Sequence, residues 1–371
     1  MPTTGIVHQY DPRHPVSGGI ETCIEGILRY APSDETLIVI GADRGSDDVI
    51  RLGRVTWYER DGRRVGFFPV ARLARHGRSG WVPETARLVA GLLRFRRRVR
   101  ESIDAVQVHR SETGAVLAAI LGALPRVQCV HGDSDRALRH RSVSYWRFLR
   151  PLHLAVERWS IARARHTFVF SKSGAARLGR VSREVSYLPT WYDPALVVVR
   201  TEARTDGEVR ALWVGRFEEE KDPMLALAAL EAFAEASASH VGIMVGDGSL
   251  HRSVHEARSD ETRVRLRGAL ARTDVALAMA DADVLLMTSR FEGSPVVMNE
   301  ALAAGTPVVC TQESDPDGRI EDGRNGIRVG ARSSEVLAAA LTAALPLRRT
   351  DCIDSVRELA APVLVPRLFA S

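Results

Sequence analysis

Short apolar runs alternate with amphipathic helical patterns along this chain, in two successive series. The first series contains runs such as Thr4–His8 and Leu37–Ile40, and the second contains runs such as Arg210–Gly215 and Val284–Met287. Each run has the length and composition of a buried strand, and helical spacing follows it. Strands that alternate with helices are typical of parallel sheets covered by helices. The sequence therefore predicts an α/β protein with two Rossmann-like, doubly wound domains that face each other across a cleft.

The connection between the two series is predicted in the stretch Pro189–Gly207, which mixes turn-forming and charged residues without periodicity. We expect a first domain over residues 1–190, a second over residues 208–345, and a tail over residues 346–371. The apolar end of the tail, Ala361–Phe369, contains two prolines. We expect it to pack on the surface, back on the first domain.

Composition excludes several classes of protein. With 371 residues, 45% hydrophobic and 26% charged, the chain can bury two cores and is not disordered. No apolar run reaches the ~18 residues of a membrane-spanning helix, and the N-terminus lacks a signal-peptide core. The four scattered cysteines have no metal-binding spacing. These features predict a cytoplasmic protein with reduced thiols.

The two halves of the chain differ in charge. Residues 1–190 carry 31 basic and 18 acidic side chains, whereas residues 191–371 carry 20 and 28. A basic first half favours an anionic partner, such as a phosphorylated acceptor or an acidic membrane surface. A coding bias towards arginine is the alternative, because only Lys172 and Lys221 are lysine.

Two basic stretches of the first half are candidates for a peripheral membrane contact. They are Leu92–Arg100 and Arg136–Arg150, in which arginine is interleaved with apolar residues. This pattern suits a helix at a membrane interface, and it equally suits an ordinary helix with a charged outer face. The second stretch follows His131 closely, so it could instead contact an anionic acceptor.

The stretch from Arg290 to Gly305 carries two glutamates at a strand-to-helix connection. We predict Ser294 as the N-cap of a helix that ends at Gly305, with Glu292 in the preceding loop and Glu300 in the second turn. A carboxylate that accepts hydroxyls, beside an anion-binding helix start, suits a sugar nucleotide. A solvated glutamate on a surface helix is the alternative.

Other unusual residues of the second half also follow predicted strands. Gly215 and Arg216 end one strand, Lys221 precedes the next helix, and the turn Gly246–Ser249 and Gly268 end two further strands. Two cations five residues apart on a loop can clamp a diphosphate. The alternative is a pair of exposed loop charges. The aspartate of the glycine turn is interpreted as structural.

The first half has two weaker candidates. Gly18 and Gly19 lie between a strand and a helix, where backbone can approach a phosphate or sugar closely, although a tight turn is the more frequent explanation for two glycines. His131 ends a predicted strand, where it could contact a substrate or act as an acid or base. A structural histidine is the alternative.

Three segments of the second half occur in a distinctive order: Gly215-Arg-Phe-Glu-Glu-Glu-Lys221 with Asp222-Pro223, Val245-Gly-Asp-Gly-Ser249, and Glu292-Gly-Ser-Pro-Val-Val-Met-Asn-Glu300-Ala301. They resemble the donor half of retaining glycosyltransferases of family 4, which have the GT-B fold. The two glutamates reproduce the Glu-x₇-Glu motif of that family. Gly18-Gly19 and His131-Gly132 resemble matching parts of its acceptor half. The resemblance covers most of residues 5–330.

The resemblance implies roles for the residues of the second half. Arg216 and Lys221 would hold the donor diphosphate and neutralise it as the glycosidic bond breaks. Glu292, with the backbone around Gly293 and Ser294, would contact the transferred sugar. Many relatives have Gly-Phe-Gly after the first glutamate, where this chain has Gly-Ser-Pro.

The resemblance also implies roles around the nucleotide and the acceptor. Glu300 would bind the nucleotide ribose, and the backbone near Gly268 would border the base. Gly19 would approach the phosphates from the other domain. His131 would lie near the reacting sugar and the acceptor.

The reaction implied is the transfer of a hexose from a nucleotide-diphosphate sugar to a lipid-linked or polysaccharide acceptor, with retention of configuration. Fixed cations and helix dipoles would replace a metal ion, so neither a metal nor another cofactor is expected. A nucleotide-sugar epimerase of the same fold is the second hypothesis. A basic protein that binds nucleic acid without catalysis is the third, and it leaves the residues of the second half unexplained.

Overall fold

A computed structural model describes residues 1–14, 18–45, 50–73, 83–132, 150–202, 204–259 and 261–370. The chain forms two compact units. Unit 1 consists of Met1–Pro189 together with Ala361–Ser371, and unit 2 is the continuous segment Thr190–Ala360.

Unit 1 contains an eight-stranded sheet. Its strands are β1 (Thr3–Val7), β2 (Thr36–Asp43), β3 (Thr56–Arg60), β4 (Arg63–Arg72), β5 (Ala105–Val108), β6 (Arg126–Val130), β7 (His166–Val169) and β8 (Val185–Tyr187). Their order in the sheet is β3-β4-β2-β1-β5-β6-β7-β8. Only β3 and β4 pair antiparallel, and all other neighbours are parallel. The carboxyl ends of β1, β5 and β6 therefore lie side by side at one edge of the sheet.

Helices connect these parallel strands, as crossover connections require. They are α1 (Gly19–Tyr30), α2 (Glu84–Ser102), α3 (Ser111–Ile120), α4 (Arg150–Ala162) and α5 (Lys172–Leu178). The end of the chain, a short helix at Ala361–Leu364 and a 3₁₀ turn at Val365–Leu368, contacts α1. Four of its apolar side chains are buried: Ala361, Leu364, Val365 and Leu368.

Unit 2 contains a six-stranded, entirely parallel sheet. Its strands are β9 (Val209–Val214), β10 (His240–Val245), β11 (Val264–Leu266), β12 (Val284–Met287), β13 (Val308–Thr311) and β14 (Gly326–Val329). Their order is β11-β10-β9-β12-β13-β14. The chain runs outward from β9 in one direction and resumes on its other side with β12. The topological switch point, where ligands bind in such sheets, therefore lies beyond the carboxyl ends of β9 and β12.

The helices of unit 2 are α6 (Pro223–Glu235), α7 (His251–Ala257), α8 (Arg272–Asp281), α9 (Val296–Ala303), α10 (Ser334–Ala344) and α11 (Arg349–Val356). The start of α6 is encoded locally. Asp222 is the N-cap, its carboxylate accepts a hydrogen bond from the Leu225 amide, and Pro223 occupies the first turn.

The prediction of two Rossmann-like α/β domains is confirmed by the two parallel sheets and their helices. Two segments fall outside the second domain as predicted from sequence. Residues 190–207 and 346–360 belong to unit 2, and the latter segment contains α11 with buried Cys352 and Val356. Of the predicted basic stretch Arg136–Arg150, only Arg150 lies within the described residues. Across the described ranges, no helix is both long enough and apolar enough to cross a membrane.

Candidate functional site

Glycine turns bring the ends of β9, β10 and β11 together. The Gly215 amide donates to the Val245 carbonyl at 3.0 Å, and the Gly246 amide donates to the Gly268 carbonyl at 2.8 Å. Gly246 has φ +140°, and a Cβ at this position would lie 1.8 Å from the Gly215 carbonyl oxygen. Only glycine fits there, so the backbone of these strand ends packs closely without side chains.

Lys221 and Glu292 meet at the switch point of unit 2. The Lys221 ammonium donates to Oε1 of Glu292 at 2.5 Å, and the Ser289 hydroxyl donates to the same oxygen at 2.7 Å. The Glu292 side chain is only 10% exposed and that of Lys221 is 25% exposed. The sequence places these two residues 71 positions apart, and the sheet order β9–β12 brings their loops together. The pair combines a fixed cation with a carboxylate whose second oxygen makes no hydrogen bond with the described residues.

Asp222 links the loop after β9 to two further cations. Its carboxylate pairs with Arg290 at 2.9 Å and with Arg332 at 2.7 Å. Its backbone is left-handed, with φ +49°, which is uncommon outside glycine. The Arg332 guanidinium also donates to the Thr288 carbonyl at 2.6 Å. The carboxylate therefore compensates the strained turn by fixing it against the loop that follows β12.

Thr288 holds the same two loops together from the interior. Its hydroxyl donates to the carbonyls of Lys221 and Asp222, at 2.9 and 3.0 Å, and accepts from the indole of Trp213 at 3.1 Å. Trp213 lies on β9 and Thr288 follows β12. The position of Lys221 is thus determined by buried contacts on both sides of the switch point.

Arg216 lies at the same sheet edge but is far less constrained. Its side chain is 64% exposed, and its guanidinium pairs with Glu220 at 2.5 Å. Arg290 is also exposed, and its amide donates to the Glu220 carbonyl at 2.8 Å. Sequence reasoning missed Arg290 and Arg332. Arg290 could have been found from the sequence, because it is a cation two residues before Glu292 in the same loop.

The predicted cap of the helix after Glu292 is wrong. Helix α9 begins at Val296 with Pro295 in the N-cap position, and no side chain of the described ranges caps it. The hydroxyl of Ser294 instead contacts the Thr190 hydroxyl at 2.7 Å and accepts from Arg319 at 3.3 Å. These distant partners outcompete the local amide. Because its side chain is engaged, Ser294 is left with its backbone, like Gly293, for contact with a ligand.

Glu300 lies in the second turn of α9, as predicted. Burial raises the pKa of its carboxyl above the usual range, while Arg272 lowers it and Asp193 raises it further. No described residue donates a hydrogen bond to this carboxylate, and Nη2 of Arg272 is buried without a partner. The helix ends before Gly305, whose φ of +79° confirms the predicted stop. A half-buried carboxylate without a donor is suited to accept hydroxyl groups from a ligand.

Gly18 and Gly19 open α1 in unit 1. Gly18 is the extended N-cap, and a Cβ there would lie 2.1 Å from Oε2 of Glu21. Gly19 is the first helical residue, and a Cβ there would meet no atom of a described residue within 4 Å. Packing against the described residues therefore does not require glycine at position 19. This open surface is consistent with an approach by ligand, which stays a prediction.

His131 follows β6 and belongs to a cluster of three histidines, in which His8 and His109 are buried and His131 is partly exposed. Its Nε2 lies 2.9 Å from Nδ1 of His109, which follows β5. His8 follows β1, and its Nε2 lies 3.2 Å from Oε1 of Glu21 on α1. Burial lowers the pKa of all three imidazoles, that of His109 to about 3. Sequence reasoning found only His131, although each of the three histidines directly follows a strand.

The structure thus brings Arg216, Lys221, Glu292 and Gly215 together at one edge of the sheet of unit 2, with the glycine turn of β10 beside them. His131 and the glycine pair belong to unit 1. Within the described ranges, no three His, Cys, Asp or Glu residues are placed to hold a metal ion.

Two family models match this chain, one on each half. The model described as "Glycosyltransferase Family 4" matches residues 17–196, and the model described as "Glycosyl transferases group 1" matches residues 208–346.

Solved structures resemble the whole chain. Sucrose-phosphate synthase from Thermosynechococcus elongatus superimposes with a TM-score of 0.77 at 16% identity, over 100% of this chain and 98% of that one. Anabaena HepE, in complex with UDP and glucose, gives a TM-score of 0.70 at 16% identity with the same coverage. The fold is therefore that of the GT-B glycosyltransferases.

This chain also matches curated relatives, each over only part of the relative's length. The 2-deoxystreptamine glucosyltransferase of Streptomyces kanamyceticus is 31% identical over 57% of this chain and 60% of its own. The lipopolysaccharide core biosynthesis glycosyltransferase LpsE of Rhizobium meliloti is 30% identical over 43% of this chain and 47% of its own. The chain spans about half the length of these relatives. Since the two family models together cover most of the sequence, this chain belongs to the family 4-like glycosyltransferases.

Proposed function

We propose that this protein transfers a hexose from a nucleotide-diphosphate sugar to a hydroxyl of a carbohydrate or lipid-linked acceptor, with retention of configuration and without a metal ion. The observation that carries the proposal is the arrangement at the switch point of unit 2. There Lys221 is fixed against Glu292, and the carboxylate of Glu300, in the second turn of the following helix, accepts no hydrogen bond from the described residues.

The cations of the site suit the diphosphate. Lys221 acts as a fixed point charge, and Arg216 and Arg290 are exposed beside it, so both guanidinium groups can close on phosphate oxygens. The start of α9 adds the partial positive charge of its free amides. Together they stabilise the negative charge that develops on the diphosphate as the glycosidic bond breaks, which is the role a divalent metal ion would otherwise take.

The reaction we propose conserves all atoms without a protein nucleophile. The bond between the anomeric carbon and the diphosphate oxygen breaks, and the acceptor oxygen bonds to the same face of that carbon. The acceptor proton passes to the departing diphosphate oxygen. Glu292 and the backbone of Gly293 and Ser294 hold the sugar, and we infer a role for His131 of unit 1 from the resemblance of His131-Gly132 to the acceptor half of family 4.

The nucleotide contacts complete the proposal. Glu300 accepts hydrogen bonds from the ribose hydroxyls, the backbone at Gly268 borders the base, and Gly19 allows backbone to approach the phosphates. HepE has been solved with UDP-glucose, and the relative from Streptomyces kanamyceticus is named a glucosyltransferase, which makes UDP-glucose the first donor to test.

A peripheral contact with an anionic membrane is part of the proposed setting, at the cytoplasmic face where a lipid-linked acceptor would be met. Helix α2 buries Leu88, Leu92 and Val99, while Leu93 is 43% exposed among outward-facing arginines. We expect binding to vesicles that contain phosphatidylserine and none to neutral vesicles. Equal recovery with both vesicle types would exclude this setting.

Thermal unfolding with a panel of nucleoside diphosphates and nucleotide sugars tests the donor site, in the presence of a chelator. A ligand at about 100 times its dissociation constant stabilises the folded state by roughly 2.7 kcal/mol. We expect one nucleotide class to produce this shift and expect Glu300→Ala and Lys221→Ala to abolish it. Lys172→Ala, at the only other lysine, is the matched control and should keep the shift. No shift at saturating ligand would refute the donor site.

Transfer itself is tested by incubating the stabilising nucleotide sugar with acceptor mixtures. Release of the nucleoside diphosphate that depends on an acceptor supports a transferase. Conversion of the sugar without any acceptor would instead support an epimerase.

A further inference from the structure

The orientation of His8 follows from its contact with Glu21. The hydrogen bond from His8 contributes to holding the pKa of Glu21 below its usual range, against the opposing effect of burial. An ionised carboxylate only accepts hydrogen bonds, so the proton of neutral His8 must lie on Nε2. The other nitrogen, Nδ1, then carries a lone pair. It is buried and has no partner in the part of the chain that the structure describes.

His109 and His131 share a single hydrogen between Nδ1 and Nε2, at 2.9 Å. Either ring could donate. The second nitrogen of His109, Nε2, is buried without a partner among the described residues, as is Nδ1 of His8. The His8 and His109 rings meet edge-on with centroids 6.3 Å apart, compared with 5.2 Å for the directly bonded pair of His109 and His131.

The two possible arrangements differ in what they place between His8 and His109. If His109 donates to His131, its Nε2 carries a lone pair, and two unpaired acceptors are buried near each other. If His131 donates to His109, Nε2 of His109 carries the proton and complements the lone pair of His8. Buried polar groups are favoured when donor and acceptor are complementary.

The charge of Glu21 favours the same arrangement. Its negative charge acts on His109 as well as on His8. In the second arrangement, His131 donates to His109, the N–H of His109 is directed at His8, and His8 donates to this carboxylate, so all three N–H groups are oriented towards Glu21. Two arginines also act on the cluster. Arg110 acts on Glu21, His8 and His131, and Arg44 acts on His8. Both are cations, which disfavour an additional proton on the histidines.

We propose that Glu21, His8 and His109 are positioning residues that hold His131 as the tautomer protonated on Nε2, so that its Nδ1 presents a lone pair to the ligand. No described residue bonds to Nδ1 of His131. The imidazole therefore accepts a hydrogen bond from a hydroxyl group and does not donate one. The consequence for transfer rests on the proposed function, whereas the tautomer itself can be measured without any ligand.

The test is long-range proton–nitrogen correlation NMR on the full chain labelled with ¹⁵N-histidine, with no ligand present. Loss of one ring pattern in His131→Asn assigns the signals. We expect His131 at neutral pH to show Nε2 protonated and Nδ1 unprotonated. Glu21→Gln replaces a group that only accepts by one that also donates, so we expect a mixture of both tautomers at His131. His109→Phe removes the partner of Nε2 and should produce the same mixture.

Glu184→Gln is the matched control, because Glu184 lies 3.7 Å from a different histidine of unit 1, His166. It should leave the His131 pattern unchanged. Circular dichroism identifies a variant that does not fold, and Glu21→Gln carries the test if His109→Phe fails. Protonation of His131 on Nδ1 in the unsubstituted protein would overturn the inference. So would an unchanged His131 pattern in folded Glu21→Gln.

Failure of the inference and failure of the proposed function are distinguishable. A tautomer as expected with no donor binding leaves the inference standing and refutes the donor site. Stabilisation by a nucleotide sugar together with His131 protonated on Nδ1 supports the donor site and refutes the inference.

Discussion

Replacing Lys221 by methionine should destabilise unit 2 by leaving the Glu292 carboxylate without its cation. The methionine keeps most of the apolar stem and removes the ammonium group, with its charge and its hydrogen bond to Glu292. Ser289 would remain as the one described donor to the Glu292 carboxylate. We therefore expect the effect to arise from the uncompensated charge and not from a cavity.

The magnitude follows from how deeply the pair is buried. Removing one partner of a fully buried ion pair costs about 3–5 kcal/mol. Here the Lys221 side chain is 25% exposed, and the Ser289 hydrogen bond persists, so solvent screening reduces the expected loss to roughly 1–3 kcal/mol. The double variant Lys221→Met with Glu292→Gln has no buried charge at this position. We expect it to recover most of the loss.

Native-state hydrogen exchange on the full chain is the appropriate assay, because it reports opening of unit 2 separately from unit 1. The slowest amides of β9 and β12 give the free energy of opening for each variant. Arg324→Met is the control, since its pair with Glu321 at 2.6 Å is exposed, and we expect little or no change. A double variant that is no more stable than Lys221→Met alone would refute the reasoning, because it would show that the two charges are not coupled.

Three further predictions concern the glycine turn, Glu300 and the histidines. Gly246→Ala should destabilise unit 2 by at least ~2 kcal/mol, measured by hydrogen exchange, because its Cβ would lie 1.8 Å from the Gly215 carbonyl oxygen. Gly19→Ala is the control and should leave the stability of the fold unchanged. Equal effects of the two substitutions would contradict this prediction. Because burial raises the pKa of Glu300, nucleotide binding by calorimetry should weaken as the pH falls through that raised pKa, and Glu300→Gln should remove this dependence. His8, His109 and His131 have lowered pKa values, so their contribution to stability is present above about pH 6.5 and is lost as the pH falls, by up to ~1.4 kcal/mol per pH unit for each. His109→Phe should make this acid slope shallower, and an unchanged slope would count against burial of a neutral imidazole.

The fold could be predicted from sequence because its signal is local. Apolar runs and helical periodicity recur in every βαβ unit, and Gly305 and Asp222 are recognisable helix signals at single positions. The N-cap assignment of Ser294 failed because its hydroxyl is taken by Thr190, 104 residues away. Local preference had no means of detecting that competitor.

The candidate site was accessible only in part for the same reason. Lys221 and Glu292 could be nominated from loop position, but their contact depends on β9 and β12 being neighbours. The link between Asp222 and Arg332 spans 110 residues. The histidine cluster forms because β1, β5 and β6 are neighbours in the sheet, and this strand order cannot be deduced from where the strands lie along the chain.

The two ends of unit 2 lie side by side. The Tyr192 amide donates to the Leu359 carbonyl at 3.1 Å, and Tyr192 forms an isolated parallel bridge with Ala360. Unit 2 is therefore an insertion that leaves and returns to unit 1 at adjacent points. Residues 190–360 could therefore be exchanged for the corresponding segment of a relative. They could also be replaced by a short linker, which would keep the two pieces of unit 1 joined. Removal of the last residues of the chain, by contrast, would damage unit 1 and not the unit that immediately precedes them.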